Sequence, residues 1–402
     1  MAAGRRLRLL LVAIGEPGHA FPMIAIGKEL VARGHEVAIH TWVRWREHIE
    51  AESIQFIQAP KFDHGPEENA PTVHEAAALA ANELAARIRE YEPDVIVSDV
   101  LTLSGSLASE LCDIPLITFV PHFWHVTEDD APPFGSGWSP PRTALGRRFF
   151  RSISPFERYA VEFGRGEMNQ SRAEVGLPPT ERLHGGLSTE LILVGTLPQL
   201  EPPRTLPDHV KVVGPVQWEP PSEPPEFPSG DRPLIAVAPS TAQDLDHRVL
   251  GASVAGLRDL PVRVLASKNG REPARALKPG DNTMVVDWLS YSQSFPQADV
   301  VITHGGHGTI MRALTSGAAV VICPASGDQF ENAARLRWAG VGVAVSQRFI
   351  SSRTIAAAVE KVISRPEMTA RARELAAWAA ANDGAVHAAD EIEAHMQAGT
   401  TR

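Results

Sequence analysis

Apolar residues run without interruption through residues 9–14. A short stretch, Gly15-Glu16-Pro17-Gly18, follows, and then Met23, Ile26 and Leu30 recur at helical spacing. A continuous apolar run marks a parallel strand covered on both faces, and the spacing after it marks a helix with one buried side. Gly34 is placed to stop that helix, and residues 37–41 read as a second strand. The chain therefore opens with a βαβ unit, whose crossover is expected to be right-handed. The alternation continues with strands at 54–58, 94–98 and 115–119 and helices at 72–91 and 102–111. It resumes later with strands at 234–238, 262–266, 284–287, 300–303 and 319–323 and helices at 246–257 and 328–338. Another helix starts near Gly308, and an Ala-rich helical tail lies beyond Ser351.

Three segments depart from this rhythm. Residues 121–143 hold five prolines together with His122, Phe123, Trp124, His125, Phe134 and Trp138. A loop this long is functional or disordered, and its aromatics favour a binding role. Residues 145–175 read as a helix interrupted at Gly164 and Gly166. Between Pro198 and Pro233 lie 11 of the chain's 33 prolines. Such a segment is stiff and extended, which suits a connection between domains. The pattern thus predicts an α/β protein with two mostly parallel sheets, each with helices on both faces, joined by a proline-rich linker. Ligands of such sheets lie beyond the carboxyl ends of the strands, so two facing sheets place a small-molecule cleft between the domains.

Length agrees with this division, because 402 residues exceed what one hydrophobic core spans. An apolar fraction of 44% against 21% charged excludes a disordered chain and a multi-span membrane protein. The net charge of −10 argues against nucleic acid as a partner. Cys112 and Cys323 are too few for a disulfide framework, and there is no CxxC, so a reduced, cytoplasmic setting is expected. Arg5, Arg6 and Arg8 before an apolar run look like a signal peptide. The run is short and lacks a small-residue cleavage site, so a first strand is the better reading. No apolar stretch approaches the ~20 residues of a membrane span, and no stable membrane insertion is expected.

The strongest chemical signal is the run Thr303-His304-Gly305-Gly306-His307-Gly308-Thr309. A buried strand ends, glycines follow and a helix begins. Free amides at that helix end, with its dipole, suit a phosphate or diphosphate, and glycines allow close approach. An ordinary glycine turn and a weak metal pair, His304 with His307, are the alternatives. Downstream, Asp328 and Gln329 stand where another helix opens. Asp328 could be a plain helix cap. Beside a diphosphate, an aspartate and a glutamine at one helix mouth also suit the hydroxyls of a sugar.

The run from Trp288 through His304-Gly-Gly-x-Gly-Thr309 to Asp328-Gln329 and Asn332-Ala333 resembles the donor-sugar signature of GT-B glycosyltransferases. More narrowly, it is similar to the UDP-glycosyltransferase superfamily and its bacterial antibiotic and macrolide branch. Gly18-His19, Pro22, Leu30 and Arg33-Gly34-His35-Glu36-Val37 resemble that family's opening, and Gly214-Pro215 resembles its domain exit. The resemblance implies two Rossmann-like domains facing across a cleft. Residues 1–215 would form the acceptor domain, 216–232 the linker and 233–380 the nucleotide-sugar domain, with 381–402 crossing back to the first domain.

It also implies inverting transfer from a nucleoside-diphosphate sugar, as co-substrate, to a hydroxyl of a hydrophobic natural product. Neither a cofactor nor a metal is expected, and the chain would be a monomer or homodimer. His19 would be the general base and Asp99 its orienting carboxylate. Ser240, Thr241, His304 and the amides of Gly305, Gly306, Gly308 and Thr309 would hold the diphosphate. Trp288 would stack on the base, and Asp328 and Gln329 would hold the sugar. Phe62, His122, Phe123, Trp124, Phe134 and Trp138 are the acceptor-pocket candidates.

Three positions depart from the family pattern: Ser290-Tyr291 replace Pro-Gln, Arg312 replaces a ribose-binding glutamate, and Pro239 replaces a glycine. An arginine has only donors and cannot copy a carboxylate, which points to a deoxyribose donor. A nucleotide-sugar epimerase and a non-catalytic homologue are the competing readings; the presence of His19 argues against the latter.

Overall fold

The computed structural model describes residues 5–60, 73–126, 130–240, 244 and 246–399. Two parallel sheets organise it. The first holds seven strands in the order β3-β2-β1-β4-β5-β6-β7: β1 (Arg8–Val12), β2 (Glu36–Thr41), β3 (Gln55–Gln58), β4 (Val95–Asp99), β5 (Leu116–Val120), β6 (Leu191–Val194) and β7 (Val210–Val212). Its helices are α1 (Pro17–Ala32), α2 (Arg46–Ala51), α3 (Val73–Tyr91), α4 (Leu103–Cys112) and α5 (Ala144–Glu174). The second holds six strands in the order β10-β9-β8-β11-β12-β13: β8 (Leu234–Ala238), β9 (Arg263–Ser267), β10 (Thr283–Val286), β11 (Val300–Thr303), β12 (Ala319–Ile322) and β13 (Gly342–Ala344). Around it lie α6 (Arg248–Leu257), α7 (Tyr291–Ser294), α8 (His307–Thr315), α9 (Asp328–Ala339), α10 (Ser352–Ile363), α11 (Pro366–Ala381) and α12 (Gly384–Gly399).

The unbroken apolar runs have the cause inferred for them. Along β1, Leu9 and Leu11 enter one core with α1, while Leu10 and Val12 enter another with α3 and α4. In β8, Leu234 and Ala236 face one core and Ile235 and Val237 the other. Alternating side chains can all be apolar only where both faces are covered.

Three expectations need correction. The helix after β1 begins at Pro17, inside the Gly15–Gly18 stretch, with proline in its first turn, so His19 lies in that turn. Helix α5 runs unbroken through Gly164 and Gly166, because packing on its buried side outweighs the cost of about 1 kcal/mol per glycine. The proline-rich segment is not all linker, since β7 lies within it and pairs with β6. Strands β6, β7 and β13 carry only three or four residues each, too few for a visible period.

The C-terminal helix crosses back, as expected. Ala388, Ala389 and Ile392 of α12 join the core of the first sheet with Leu9, Met23 and Trp218. Fully burying a side chain such as Ile392 contributes about 1.5–3 kcal/mol. The Arg33-Gly34-His35 motif is the anchor. Arg33 donates to Asp390 at 2.6 Å, Glu393 at 2.9 Å and the Val386 carbonyl at 3.1 Å. His35 accepts from the Leu7 amide through Nδ1 (3.2 Å), so Nε2 carries the proton it gives to Glu393 (2.8 Å). Gly214 (φ +98°) and Gly384 meet at the crossing, where a Cβ on Gly384 would lie 2.5 Å from the Pro215 carbonyl oxygen.

Residues 121–126 and 130–142 bridge the two sheets. Phe123, with Leu197 and Leu200, packs into a core otherwise built by the second sheet. Arg337 and Arg142 tie the loop to α9 through the Gly137 and Trp338 carbonyls.

Candidate active site

Both sheets reverse strand order beside a central strand, at β1/β4 and at β8/β11. Crevices at such points, beyond the strand ends, receive ligands. In the first sheet Val12 pairs with Ser98, so the end of β4 lies beside the turn entering α1. His19, in the first turn of α1, thereby reaches Asp99, the last residue of β4, with Nδ1 2.8 Å from Oδ2. Asp99 is only 2% exposed. Its Oδ1 accepts from the Leu101 amide (3.0 Å) and the Thr102 hydroxyl (3.4 Å), and Thr102 in turn accepts from the Ile14 amide. A carboxylate so held accepts only. Nδ1 must therefore carry the proton, which leaves the lone pair on Nε2. Burial opposes protonation of His19. The charge of Asp99 and its hydrogen bond, with Asp328 and Glu16 adding, more than offset it, so the pKa lies above the ordinary histidine value.

The glycine turn in the second sheet is built for one backbone path. Gly305 has φ +101°, and a Cβ there would stand 2.4 Å from Ile322 Cδ1. The fully buried Asn332 donates to the Gly305 carbonyl at 2.8 Å and to Asp328 at 3.3 Å, linking the turn to the start of α9. Helix α8 opens at Gly306 without a side-chain cap. Open space lies above Gly308, with no heavy atom within 4 Å of where a Cβ would be. A helix start of this kind attracts an anion.

Around it stand the other donor candidates. Ser240 is buried just after β8. Burial pushes His304 down to about 4 and His307 to about 3, so both rings are neutral at pH 7. His307 packs edge-on against Phe123, 4.8 Å between ring centres. His304 and His307 form no metal-type cluster of three or more ligands among the described residues. Trp288 is 59% exposed, so its indole offers a free face instead of filling a core. Asp328 is raised by burial; His122, Asn332 and His19 oppose the shift. Asp328 on one lobe and His19 on the other thus lie within each other's field. Gln329 accepts from the Ala325 amide at 2.8 Å, so its oxygen holds the loop.

The departures from the family pattern form one cluster. The Tyr291 hydroxyl hydrogen-bonds Asn269 and Thr309, and its ring stacks on Phe295 at 4.6 Å. Glu219, from the connecting segment, accepts from the amides of Tyr291 (3.0 Å) and Ser292 (2.8 Å). Burial works against the charge of Arg312, and Glu219 is the compensating anion. Neither Tyr291 nor Glu219 is a site candidate in the sequence, and Asn332 enters there only as part of the donor-sugar signature. For Asn332 the i+4 spacing from Asp328 on one helix was the available signal.

The acceptor candidates divide. His122 lies within the field of His19, Asp99 and Asp328; its Nδ1 donates to the Phe123 carbonyl at 2.8 Å, and its ring is 5.5 Å from Phe134. Trp138 is exposed beside Phe149. Phe123 and Trp124 are buried in cores. Phe62 and Thr241 lie outside the described residues.

Fold and site together define a two-lobed glycosyltransferase of the GT-B class. A family profile described as UDP-glucoronosyl and UDP-glucosyl transferase matches residues 228–377, and one described as Glycosyltransferase family 28 N-terminal domain matches residues 9–119. The chain is 30% identical to 4'-demethylrebeccamycin synthase of Lentzea aerocolonigenes, over 96% of its own length and 99% of that protein. A solved glycosyltransferase of kitacinnamycin superposes with a TM-score of 0.77 at 21% identity, covering 98% of this chain and 99% of the other. The glycosyltransferase VinC in complex with dTDP gives 0.71 at 18% identity, covering 97% and 100%. The chain belongs to the UDP-glycosyltransferase superfamily and is a nucleotide-sugar-dependent glycosyltransferase. Among the described residues no helix is long and apolar enough to cross a membrane.

Proposed function

We propose that this enzyme is an inverting transferase that moves a sugar from a dTDP- or UDP-sugar to a hydroxyl of a hydrophobic natural product. The observation that carries this reading is the His19–Asp99 pair, with its lone pair on Nε2 and in the field of Asp328 from the other lobe. In the proposed reaction the acceptor oxygen attacks the anomeric carbon and its proton passes to His19 Nε2. The bond from that carbon to the diphosphate oxygen breaks with inversion. The leaving diphosphate carries its charge to the amides at the start of α8. Preorganised donors of this kind are usually the largest catalytic contribution, and a positioned base adds ~10²- to 10⁴-fold. Asp328 and the amide group of Gln329 would receive the sugar hydroxyls, and Trp288 the base.

The relatives support a natural-product acceptor, since the one from Lentzea is a 4'-demethylrebeccamycin synthase. For the donor, Arg312 offers no acceptor to a 2′-hydroxyl, and VinC is a dTDP-bound relative in fold. We therefore infer a preference for dTDP over UDP. Competition calorimetry with the two nucleotides tests it: tighter binding of dTDP is expected, and clear preference for UDP overturns it. His19→Ala should abolish transfer to a hydroxyl and leave nucleotide affinity within about twofold. Full retained transfer would remove His19 from its role. Turnover of donor alone, with no acceptor, would favour an epimerase.

A further inference from the structure

Helix α5 buries one side against α3, yet a second line of large apolar residues along it stays exposed, with Phe149 beside the equally exposed Trp138. Leu145 and Phe156 are 78% exposed, Tyr159 73%, Phe163 65% and Phe149 51%. With Ser152, also exposed, they stand at positions 145, 149, 152, 156, 159 and 163. Those intervals are 4, 3, 4, 3 and 4, a strict 3.5-residue repeat. On a straight helix all six fall within a narrow band, because each step turns about 100°. A narrow seam of this spacing is the geometry of helix pairing; a membrane-surface helix presents a broader apolar face with cations on its polar side. Here the flank carries both signs. Arg148 precedes the seam residue Phe149, and Glu162 precedes the seam residue Phe163, so both occupy the same position of the repeat. Both are exposed, and neither is in an ion pair within the chain among the described residues.

We propose that α5 is the interface for a second copy of this chain, paired antiparallel across a two-fold axis beside Ser152 and Phe156. The interval pattern reads the same in either direction, as a two-fold requires. Antiparallel pairing sets Leu145 against Phe163 of the second copy, Phe149 against Tyr159, and Ser152 against Phe156. In that register Arg148 of each copy faces Glu162 of the other, giving two equivalent ion pairs. Gly146, Ile153 and Ala160 take the other flank, where the two glycine and alanine positions leave room for close approach. Pro155 bends α5 next to the axis, and because both copies carry the same bend, the symmetry survives. Such an interface is isologous and closed, so it makes dimers and not fibres.

The test is sedimentation velocity of the full chain across micromolar concentrations. A dimer is expected. The double substitution F156E/Y159E should leave a monomer with the parent's circular dichroism spectrum, since both side chains are exposed in the single chain and its fold does not depend on them. Arg148→Glu or Glu162→Arg alone should raise the dimer dissociation constant by roughly tenfold, and the two together should restore it. A parent that stays monomeric, a dimer indifferent to F156E/Y159E, or a charge swap as weak as its single changes would overturn the proposal. So would a monomer that co-sediments with phosphatidylserine vesicles through the same residues, which would assign the seam to lipid.

Discussion

Arg335 on α9 lies 3.1 Å from Glu201, a residue that follows the first sheet's β6, and 2.6 Å from Glu331 on its own helix. All three side chains are nearly buried. The guanidinium also donates to the Leu200 carbonyl and stacks 5.0 Å from the Phe123 ring. Glu201 in turn accepts from Arg204 and from the Trp124 amide. One arginine therefore fastens the helix that begins with Asp328 to the loop that carries His122. Removing it leaves Glu331 buried without its cation and Glu201 with Arg204 alone. Arg335→Met should cost about 3–5 kcal/mol in urea unfolding. Arg335→Lys should recover part of this, because an ammonium keeps the charge but cannot span Glu331, Glu201 and the carbonyl at once. A loss below 1 kcal/mol for the methionine variant would show that the network is dispensable.

The His19–Asp99 pair predicts a pH profile. The base works only when neutral, so transfer should rise with pH through a pKa above the ordinary histidine value. Asp99→Asn removes the charge and can donate to Nδ1, which moves the ring proton to Nε2. The turnover number should fall by ~10²- to 10⁴-fold with nucleotide affinity unchanged. Asp328→Asn removes one of the charges that raise His19, so the acid limb of whatever activity remains should move to lower pH. A limb that stays in place would break the proposed electrostatic link across the cleft.

Other histidines set the response to acid. Burial holds His125 and His307 at about 3 and His304 at about 4. In the unfolded chain each titrates near the ordinary value, so between these limits the unfolded state binds more protons and stability falls as pH falls. From pH 7.5 to 5.5 each group should cost about 1.4 kcal/mol, roughly 4 kcal/mol together. His19 has the opposite sign: its raised pKa adds stability at low pH that is lost as pH rises through the folded value. Urea unfolding at the two pH values measures the balance, and equal stabilities would mean that these rings are not held neutral.

The legible parts of the sequence were those with one physical cause. The apolar runs of β1, β8 and β11 announce doubly covered strands, and the glycine turn after β11 announces a helix start open to an anion. Arg33 and His35 were legible as a motif, but their work could not be read, because Asp390 and Glu393 lie more than 350 positions away and only the folded chain brings them together. The same holds for Tyr291 against Thr309 and for Glu219 against α7. Phe123 and Trp124 show the reverse error. Aromatics in a proline-rich loop suggested a pocket, yet a loop that bridges two lobes needs its own packing, and these two provide it.

Trp288 separates binding from stability. At 59% exposure its removal should change folding free energy by less than about 0.5 kcal/mol. If a base stacks on it, Trp288→Ala should weaken nucleoside-diphosphate binding by roughly tenfold or more, corresponding to about 1–3 kcal/mol per stacked base. Titration of dTDP against both proteins decides it, and unchanged affinity would place the base elsewhere.

Two glycines of the same turn should respond in opposite ways. Gly305→Ala puts a Cβ at φ +101° and against Ile322, so it should destabilise by about 1–3 kcal/mol whatever binds there. Gly308 lies in the first turn of α8, outside the left-handed region and with open space above it. Gly308→Ala should keep or slightly raise the melting temperature, since alanine favours a helix by up to about 1 kcal/mol. The same methyl occupies the space a diphosphate needs to reach the helix amides, so nucleotide affinity should fall at least tenfold while folding is intact. A Gly308→Ala protein that is stable and binds dTDP normally would show that the anion does not sit on this helix, and the leaving-group role of α8 would fall with it.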